Sequence, residues 1–445
     1  MGRPMVKRAW MPDASAEPLL DFLLRGSFAS FMTRVVGVAL SYVSAVLLSR
    51  LLGVSGYGVY SIALGWALVL VLPSRAGLDY AALRFGSVYL EEGSTARLRG
   101  FFRFSACVVF GVSAVAGAFL FLVTKLGLTS MRPSMAPGVG LFIFPIAALG
   151  LVGALLRTAR KIAAGQFYDQ IMRPAGLIAG LAAAALAGIN LSPANAMVLT
   201  AAGAFIALLF AVVHVARATG ALRGAADYSP WRSWLALSFP LLLTSAAQEL
   251  LNQLDIIILG YLQTPEAAGL YSAAWRLASL IVFGLSALSI SSGPLVAAAH
   301  ARKDIAELAR VARITARFGF VASAMLAVPL LVFGRSLLEL FGPEFGAGYP
   351  ALAILVAGGM INAFTGVLAY FLTLTGRQAQ ALWIFIGALA ISCLLNLLLI
   401  PGFSIVGAAV ASTGATLFWN IVMWVVVRRS LGIDSSALAL APRSR

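Results

Sequence analysis

Charge is what this chain has least of. Only 11% of its 445 residues are Asp, Glu, Lys or Arg, while 61% are apolar. A soluble domain carries roughly 25% charged residues. The mean hydropathy of +0.95 points the same way. A soluble enzyme, a disordered chain and a disulfide scaffold are all excluded. Cysteine and histidine are nearly absent too. Cys107 and Cys393 sit inside apolar runs, His214 and His300 are equally isolated, and none has a neighbour at ligand spacing. A metal or redox centre is therefore not expected. There is no Asp-X-Asp anywhere and no Gly-x-x-x-x-Gly-Lys-[Ser/Thr]. Metal-dependent glycosyl transfer and ATP binding thus lose their usual carriers. No catalytic residues, no enzyme and no cofactor are expected.

What the chain does have is long apolar stretches. Residues 104–124, 133–156, 174–216, 277–301, 345–376 and 378–427 contain no Asp, Glu, Lys or Arg. A helix of about 20 apolar residues crosses ~30 Å of hydrocarbon. Gly188-Ile-Asn-Leu-Ser-Pro divides the third stretch and Ile400-Pro-Gly the last, both by turn chemistry. The reading is an all-α integral membrane protein of about twelve helices: 28–51, 58–78, 103–124, 139–157, 168–189, 195–216, 235–260, 270–294, 314–333, 347–374, 379–400 and 404–427. The first 26 residues are polar and contain proline, so a cleaved secretion signal is not expected and the first apolar segment is read as a retained anchor.

The net charge of +16 would suggest nucleic acid in a soluble protein. Here the basic residues are scattered between apolar runs, and nucleic acid is not an expected partner. Placing the N-terminus in the cytoplasm leaves only Arg50, Lys125, Arg132 and Arg335 outside, with six inner basic residues for each outer one. That bias sets both termini inside. Segment 301–317, with Ile305, Leu308, Val311 and Ala312 at helical spacing, reads as a basic amphipathic helix on the inner surface, in contact with membrane lipids.

The chain also repeats itself. Gly58-Val-Tyr-Ser-Ile-Ala resembles Gly269-Leu-Tyr-Ser-Ala-Ala, and Tyr60/Tyr271, Ser61/Ser272 and Ala67/Ala278 keep one offset. Two six-helix bundles in the same orientation follow, with a pseudo-two-fold axis along the membrane normal. The expected division is a cytoplasmic tail 1–27, a first bundle 28–216, a cytoplasmic linker 217–234, a second bundle 235–427 and a cytoplasmic tail 428–445.

Ionisable groups at bilayer depth usually face water or protein. Arg34, Arg75, Arg173 and Arg276 qualify, with Asp79, Asp169, Glu249 and Asp255. At ~1.5 Å per residue, Arg34 lies roughly 10 Å in from the inner end of its helix, and Arg276 roughly 10 Å from an outer end. Asp255 lies at a depth comparable with Arg276, which makes them an interhelical pair. Asp169 and Arg173 have the i,i+4 order that favours an ion pair. Arginine keeps its charge and meets phosphate oxygens with a planar fork. The four arginines are therefore candidates for a cationic cavity that takes an anionic head group. Glu249, nearer mid-membrane and with no obvious partner, is the first candidate for ion coupling by a proton or sodium gradient; Asp255, read first as a structural pair with Arg276, is the second.

The stretch Ser49-Arg-Leu-Leu-Gly-Val-Ser-Gly-Tyr-Gly-Val-Tyr-Ser and then Gly77-Leu-Asp-Tyr-Ala-Ala-Leu-Arg-Phe resembles the opening of the polysaccharide-transport, O-antigen-type flippases of lipid-linked oligosaccharides. These share a superfamily with multidrug and toxic-compound exporters and lipid II flippases. Asn252-Gln-Leu-Asp-Ile-Ile-Ile-Leu-Gly-Tyr-Leu, Gly269-Leu-Tyr-Ser-Ala-Ala-Trp-Arg-Leu, Leu395-Asn-Leu-Leu-Leu-Ile-Pro and Ile405-Val-Gly-Ala-Ala-Val-Ala-Ser are similar to that family's later signatures. The resemblance implies alternating access in a bacterial inner membrane. It implies a polyprenyl-diphosphate-linked glycan as substrate, for O-antigen, capsule or exopolysaccharide. Candidate protein partners are polysaccharide polymerase or glycosyltransferase machinery. Arg34 and Arg276 match positions where relatives carry cavity basic residues. The alternative is a cation-coupled multidrug exporter of the same fold, disfavoured because acids do not outnumber arginines at depth.

Overall fold

The computed structural model describes residues 19–159, 161–219, 224–302, 304–366, 368–434 and 436–438. Most of the 1–27 tail, part of the 217–234 linker and the end of the 428–445 tail lie outside them. All regular structure among the described residues is helical. The helices are α1 (Leu19–Arg75), α2 (Leu78–Glu91), α3 (Thr95–Lys125), α4 (Ala136–Thr158), α5 (Ile162–Phe167), α6 (Arg173–Leu186), α7 (Pro193–Thr219), α8 (Trp231–Leu262), α9 (Pro265–Ala301), α10 (Ile305–Val332), α11 (Gly334–Glu339), α12 (Tyr349–Thr365), α13 (Leu368–Leu374) and α14 (Gln378–Leu431). A π-helical turn, Tyr168–Met172, joins α5 to α6.

Among the described residues, eight helical runs are long and apolar enough to cross a membrane. Their apolar surface is largely turned outward: only 22% of the most apolar window of α3 is buried, against 72% around α4. Phe110, Val115 and Leu122 of α3 are more than half exposed. A chain in water would bury such side chains at ~25 cal/mol per Å². Exposed on helices of this length, they face lipid.

Two of these runs are bent, and the bends differ from the expected turns. A loop was expected between residues 51 and 58. Instead α1 continues through it, with a corner at Gly53 (φ 68°, ψ 176°), a conformation that glycine adopts without a Cβ penalty. The turn expected at Ile400–Gly402 is displaced to Ser404 (φ 48°, ψ −125°) in α14. Beyond that corner Gly407 packs on the Leu399 carbonyl, where a Cβ would not fit. The expected helix 347–374 is broken at Gly366 (φ 76°, ψ −158°). The amphipathic segment 301–317 is not a separate surface helix. From Ile305 it is the first part of α10, opened by Asp304, whose Oδ1 accepts the Glu307 N–H at 2.9 Å. The sequence reading also overlooked α2, whose Leu78, Ala81, Ala82 and Tyr89 form one buried stripe.

Contacts divide the chain into two compact units. The first takes the described residues up to Leu52 together with Ala63–Ala246. In it α4 packs on α2, α3 and α7, and α6 packs on α7. One end of it is fastened by Trp234, which is fully buried, lies edge-on to Phe101 at 5.2 Å and donates to the Tyr89 hydroxyl at 3.0 Å. The segment before α8 lies on α3: the Asp227 N–H bonds the Ala96 carbonyl at 3.0 Å, and Gly100 leaves room for the Asp227 backbone.

The Asp227 carboxyl is held below the usual carboxylate range, first by the Ser229 backbone N–H at 2.9 Å, then by the Ser229 hydroxyl and Arg97. A depressed folded-state pKa gives stability that is present above the unfolded value of ~3.9 and is lost as pH falls through the lower folded one. Thermal melts of purified protein between pH 6 and 3 are expected to show an acid-side decline that is shallower in Asp227→Asn. Identical profiles would mean that this clamp contributes nothing.

The second unit takes Gly53–Ile62 and the chain from Ala247 onward. There α12 packs on α9, α10 and α14. Tyr57 is buried against Phe341 and Phe345. The two repeat motifs meet in this unit. A Cβ on Gly58 would strike the Pro265 carbonyl, and one on Gly269 would strike the Val54 carbonyl. The crossing is therefore backbone against backbone, the approach that small residues permit between membrane helices.

Candidate functional site

Of the residues singled out in the sequence, Arg34, Arg75 and Arg173 fall in the first unit, and Glu249, Asp255 and Arg276 in the second. Arg34 is half-buried on α1, one turn before Gly37, which lies against Gln170 of the π-helical turn. Arg75, at the end of α1, reaches Asp79 at 3.9 Å and donates to the Ile146 carbonyl at 3.4 Å. Its guanidinium lies over Gly150 of α4, where a Cβ would come within 2.9 Å. Arg173 donates to Asp169 Oδ1 at 2.9 Å, the i,i+4 pair its spacing predicts. The side chain keeps 29% of its surface exposed.

The structure adds a member to this basic group. Arg157 counts as a loop charge in the sequence, but it closes the last turn of α4, largely buried and within the field of Asp79, Arg75 and Asp169. No periodicity distinguishes it from the loop residues beside it. His214 also has a partner that sequence could not reveal: its Nδ1 lies 2.7 Å from the Tyr168 hydroxyl.

In the second unit the expected pairing changes. Asp255, set opposite Arg276 by depth, has its oxygens taken by other groups. The Tyr271 hydroxyl donates to Oδ2 at 2.6 Å and Asn396 Nδ2 donates to Oδ1 at 2.8 Å. The Ser412 side chain lies beside this cluster. The reason is helical phase. Tyr271 lies on the side of α9 that meets Asp255, and Arg276, five residues on, is turned roughly 140° away.

Asp255 is 1% exposed. Burying a carboxylate costs several kcal/mol unless hydrogen bonds replace its water, and here Tyr271 of α9 and Asn396 of α14 each donate to one oxygen. Asn396 Nδ2 is further fixed by the Ser392 carbonyl at 2.9 Å, while its Oδ1 is buried without a hydrogen-bond partner among the described residues. The result is a buried carboxylate, the one acid in this cluster, with both oxygens engaged by donors. Glu249, without a partner in the sequence reading, accepts from Gln253 Nε2 at 2.8 Å, one turn along α8. Tyr271 and Asn396 both lie inside motifs that carried the family resemblance, but nothing in their spacing pointed to Asp255.

The profile of the family described as "Polysaccharide biosynthesis protein" matches residues 23–300, and the MatE profile matches 240–399. Among curated proteins, the "Probable flippase AglR" of Haloferax volcanii is 30% identical over 166 residues. The "Probable low-salt glycan biosynthesis flippase Agl15" of the same organism is 24% identical over 164 residues. Each alignment takes in 36% of this chain and 34% of the relative, so only about a third of either relative is matched.

Solved structures match over nearly the whole length. An inward-facing multidrug resistance transporter of the MATE family, MOP superfamily, aligns with a TM-score of 0.71 at 12% identity, over 91% of this chain and 98% of that one. The lipid II flippase MurJ, in an inward closed conformation, aligns at 0.68 with 14% identity, over 91% and 87%. A MOP superfamily transporter from Pyrococcus furiosus aligns at 0.67 with 13% identity, over 97% and 99%. The chain is thus an all-α, multi-pass membrane protein with a MATE-like fold. The proteins it matches are transporters and flippases, not enzymes.

Proposed function

The chain belongs to the polysaccharide biosynthesis protein family, and on that premise we propose that it is a flippase for a polyprenyl-diphosphate-linked oligosaccharide, working by alternating access. The observation that carries this reading is the set of arginines within membrane-spanning helices of a transporter fold. A sugar diphosphate cannot cross hydrocarbon without a polar, positively charged route. Arg34, Arg75, Arg173 and Arg276 would supply that charge, with the lipid tail left in the bilayer. The part of the chain shared with the two archaeal flippases supports a glycan-linked lipid as cargo.

Twelve crossings in two six-helix bundles, related by a pseudo-two-fold axis along the membrane normal, are supported by the bends at Gly53 and Ser404 and by the repeated Gly-x-Tyr-Ser motif. The bias of basic residues supports both termini in the cytoplasm of a bacterial inner membrane. The product route would be a surface polysaccharide such as O-antigen, capsule or exopolysaccharide, with polymerase or glycosyltransferase machinery as neighbours. Asp255 is the favoured coupling group for a proton or sodium gradient, and Glu249 the second candidate.

The test is translocation of a fluorescent undecaprenyl-diphosphate oligosaccharide in proteoliposomes under imposed proton or sodium gradients. Wild type is expected to flip it, and Arg34→Ala/Arg276→Ala to flip it at least roughly tenfold more slowly with an unchanged melting temperature, since each lost charge contact is worth ~1 kcal/mol or more. Unchanged flipping by the double variant would remove the cationic route. Efflux of cationic dyes with no glycolipid movement would replace the reading by a multidrug exporter.

A further inference from the structure

Within the second unit, α8, α9, α12 and α14 enclose a cavity of about 190 Å³ that the arginines do not reach. Its lining includes two indoles, Trp275 and Trp419, two amides, Asn252 and Asn362, and hydroxyls such as Ser279 and Thr416. Among the described residues, no charged side chain lines it. The side chains of Asn252 and Asn362 make no hydrogen bond with any described residue. Each amide therefore keeps donors and an acceptor for an occupant. Gly358 and Gly359 on the wall of the cavity let α12 pack closely on α14 and α9. A Cβ on Gly358 would meet Thr413 Oγ1 at 2.8 Å, and one on Gly359 would meet Ile281 Cγ2 at 3.2 Å.

This lining has a definite chemistry. Flat aromatic faces suit the C–H faces of a pyranose ring, and unpaired amides with hydroxyls suit its hydroxyl or acetamido groups. The absence of a lining cation rules against phosphate or uronate, and the absence of a lining acid against a cationic drug. The size is equally restrictive. About 190 Å³ is below the ~300–1,000 Å³ of sites for drug-sized ligands. One sugar ring fits that space and an oligosaccharide does not. We infer that this cavity is a recognition subsite for a single uncharged sugar residue of the transported glycan. Ser392 and Ser412 line the cavity and also belong to the Asp255 cluster, so an occupant sits one side chain away from the buried acid.

The inference rests on the flippase reading, and the experiment separates the two. Full-length protein in nanodiscs would be titrated with methyl glycosides of glucose, N-acetylglucosamine and glucuronic acid, followed by saturation-transfer NMR and calorimetry. The neutral glycosides are expected to bind, and the glucuronide at least tenfold more weakly. Trp275→Ala and Trp419→Ala are each expected to weaken neutral binding roughly tenfold, the worth of one good aromatic contact. Trp275→Phe and Trp419→Phe keep a stacking face and should restore most of it, which also distinguishes lost stacking from lost folding. Equal binding of charged and neutral glycosides would overturn the assignment, as would binding indifferent to both alanine variants. Glycolipid flipping by wild type without any glycoside binding would overturn the subsite and leave the flippase. Tryptophan-dependent glycoside binding without glycolipid flipping would support the subsite and overturn the flippase.

Discussion

Replacing Gly58 or Gly269 by valine is expected to abolish folded protein. Each glycine lies where a Cβ would overlap a backbone carbonyl, of Pro265 and Val54 respectively. A side chain in the way can rotate, but a helical backbone moves only with its whole helix. Overpacking in a fixed core costs ~1–3 kcal/mol and occasionally more. A carbonyl that cannot yield puts these two sites at the upper end, enough to consume much of a marginal stability. The loss would also strip Tyr57 of its contacts with Phe341 and Phe345. Gly111→Val is the control, because nothing lies within 4 Å of a Cβ there and α3 is exposed around it. Detergent-extracted variants run by fluorescence size exclusion should show a monodisperse peak for wild type and Gly111→Val, and aggregate or no protein for the other two. A monodisperse Gly58→Val with wild-type melting would show that the two repeat motifs do not cross at this distance.

Asp255 is expected to separate transport from stability according to what replaces it. Asparagine keeps the size and an acceptor oxygen but neither ionises nor accepts equally on both sides. Asp255→Asn should fold, melt within a few degrees of wild type and lose gradient-driven translocation by about a hundredfold, an effect of ~2.7 kcal/mol. Asp255→Ala removes the acceptor for Tyr271 and Asn396 altogether. Each buried donor left alone costs ~1–3 kcal/mol, so this variant should also melt markedly lower. Flux under separate proton and sodium gradients, alongside melting curves, reads both effects. If Asp255→Asn translocates at the wild-type rate under either gradient, the carboxylate is an element of packing and coupling must be sought at Glu249.

Much of the architecture is a local matter and was legible in the chain. Spans follow from uninterrupted apolar runs, because lipid demands that every backbone group be satisfied within its own helix. The Asp169–Arg173 pair follows from i,i+4 spacing, since one helix brings both side chains together without help from any other. The resemblance in Ser49–Ser61 and Asn252–Leu277 led to the right family for a similar reason, as ordered motifs survive in sequence.

Tertiary structure alone decided the rest. Depth along two helices set Asp255 level with Arg276, but depth carries no rotation. The phase of α9 turned Tyr271 toward the acid, and the bent α14 delivered Asn396 and Ser412 to the same point. The repeat was visible as two similar strings, yet not that their glycines touch, since contact between Gly58 and Gly269 depends on Gly53 steering a short segment into the second unit. Arg157 stands at the end of the expected helix 139–157, but its burial beside the other basic groups depends on what α4 packs against. The cavity is drawn from four helices, each contributing one or a few side chains. Spans and family are written in runs of adjacent residues, whereas the Asp255 cluster and the cavity draw on separate helices, Asn396 lying 141 positions from Asp255, and their meeting is set by helix rotation and by the bend at Ser404.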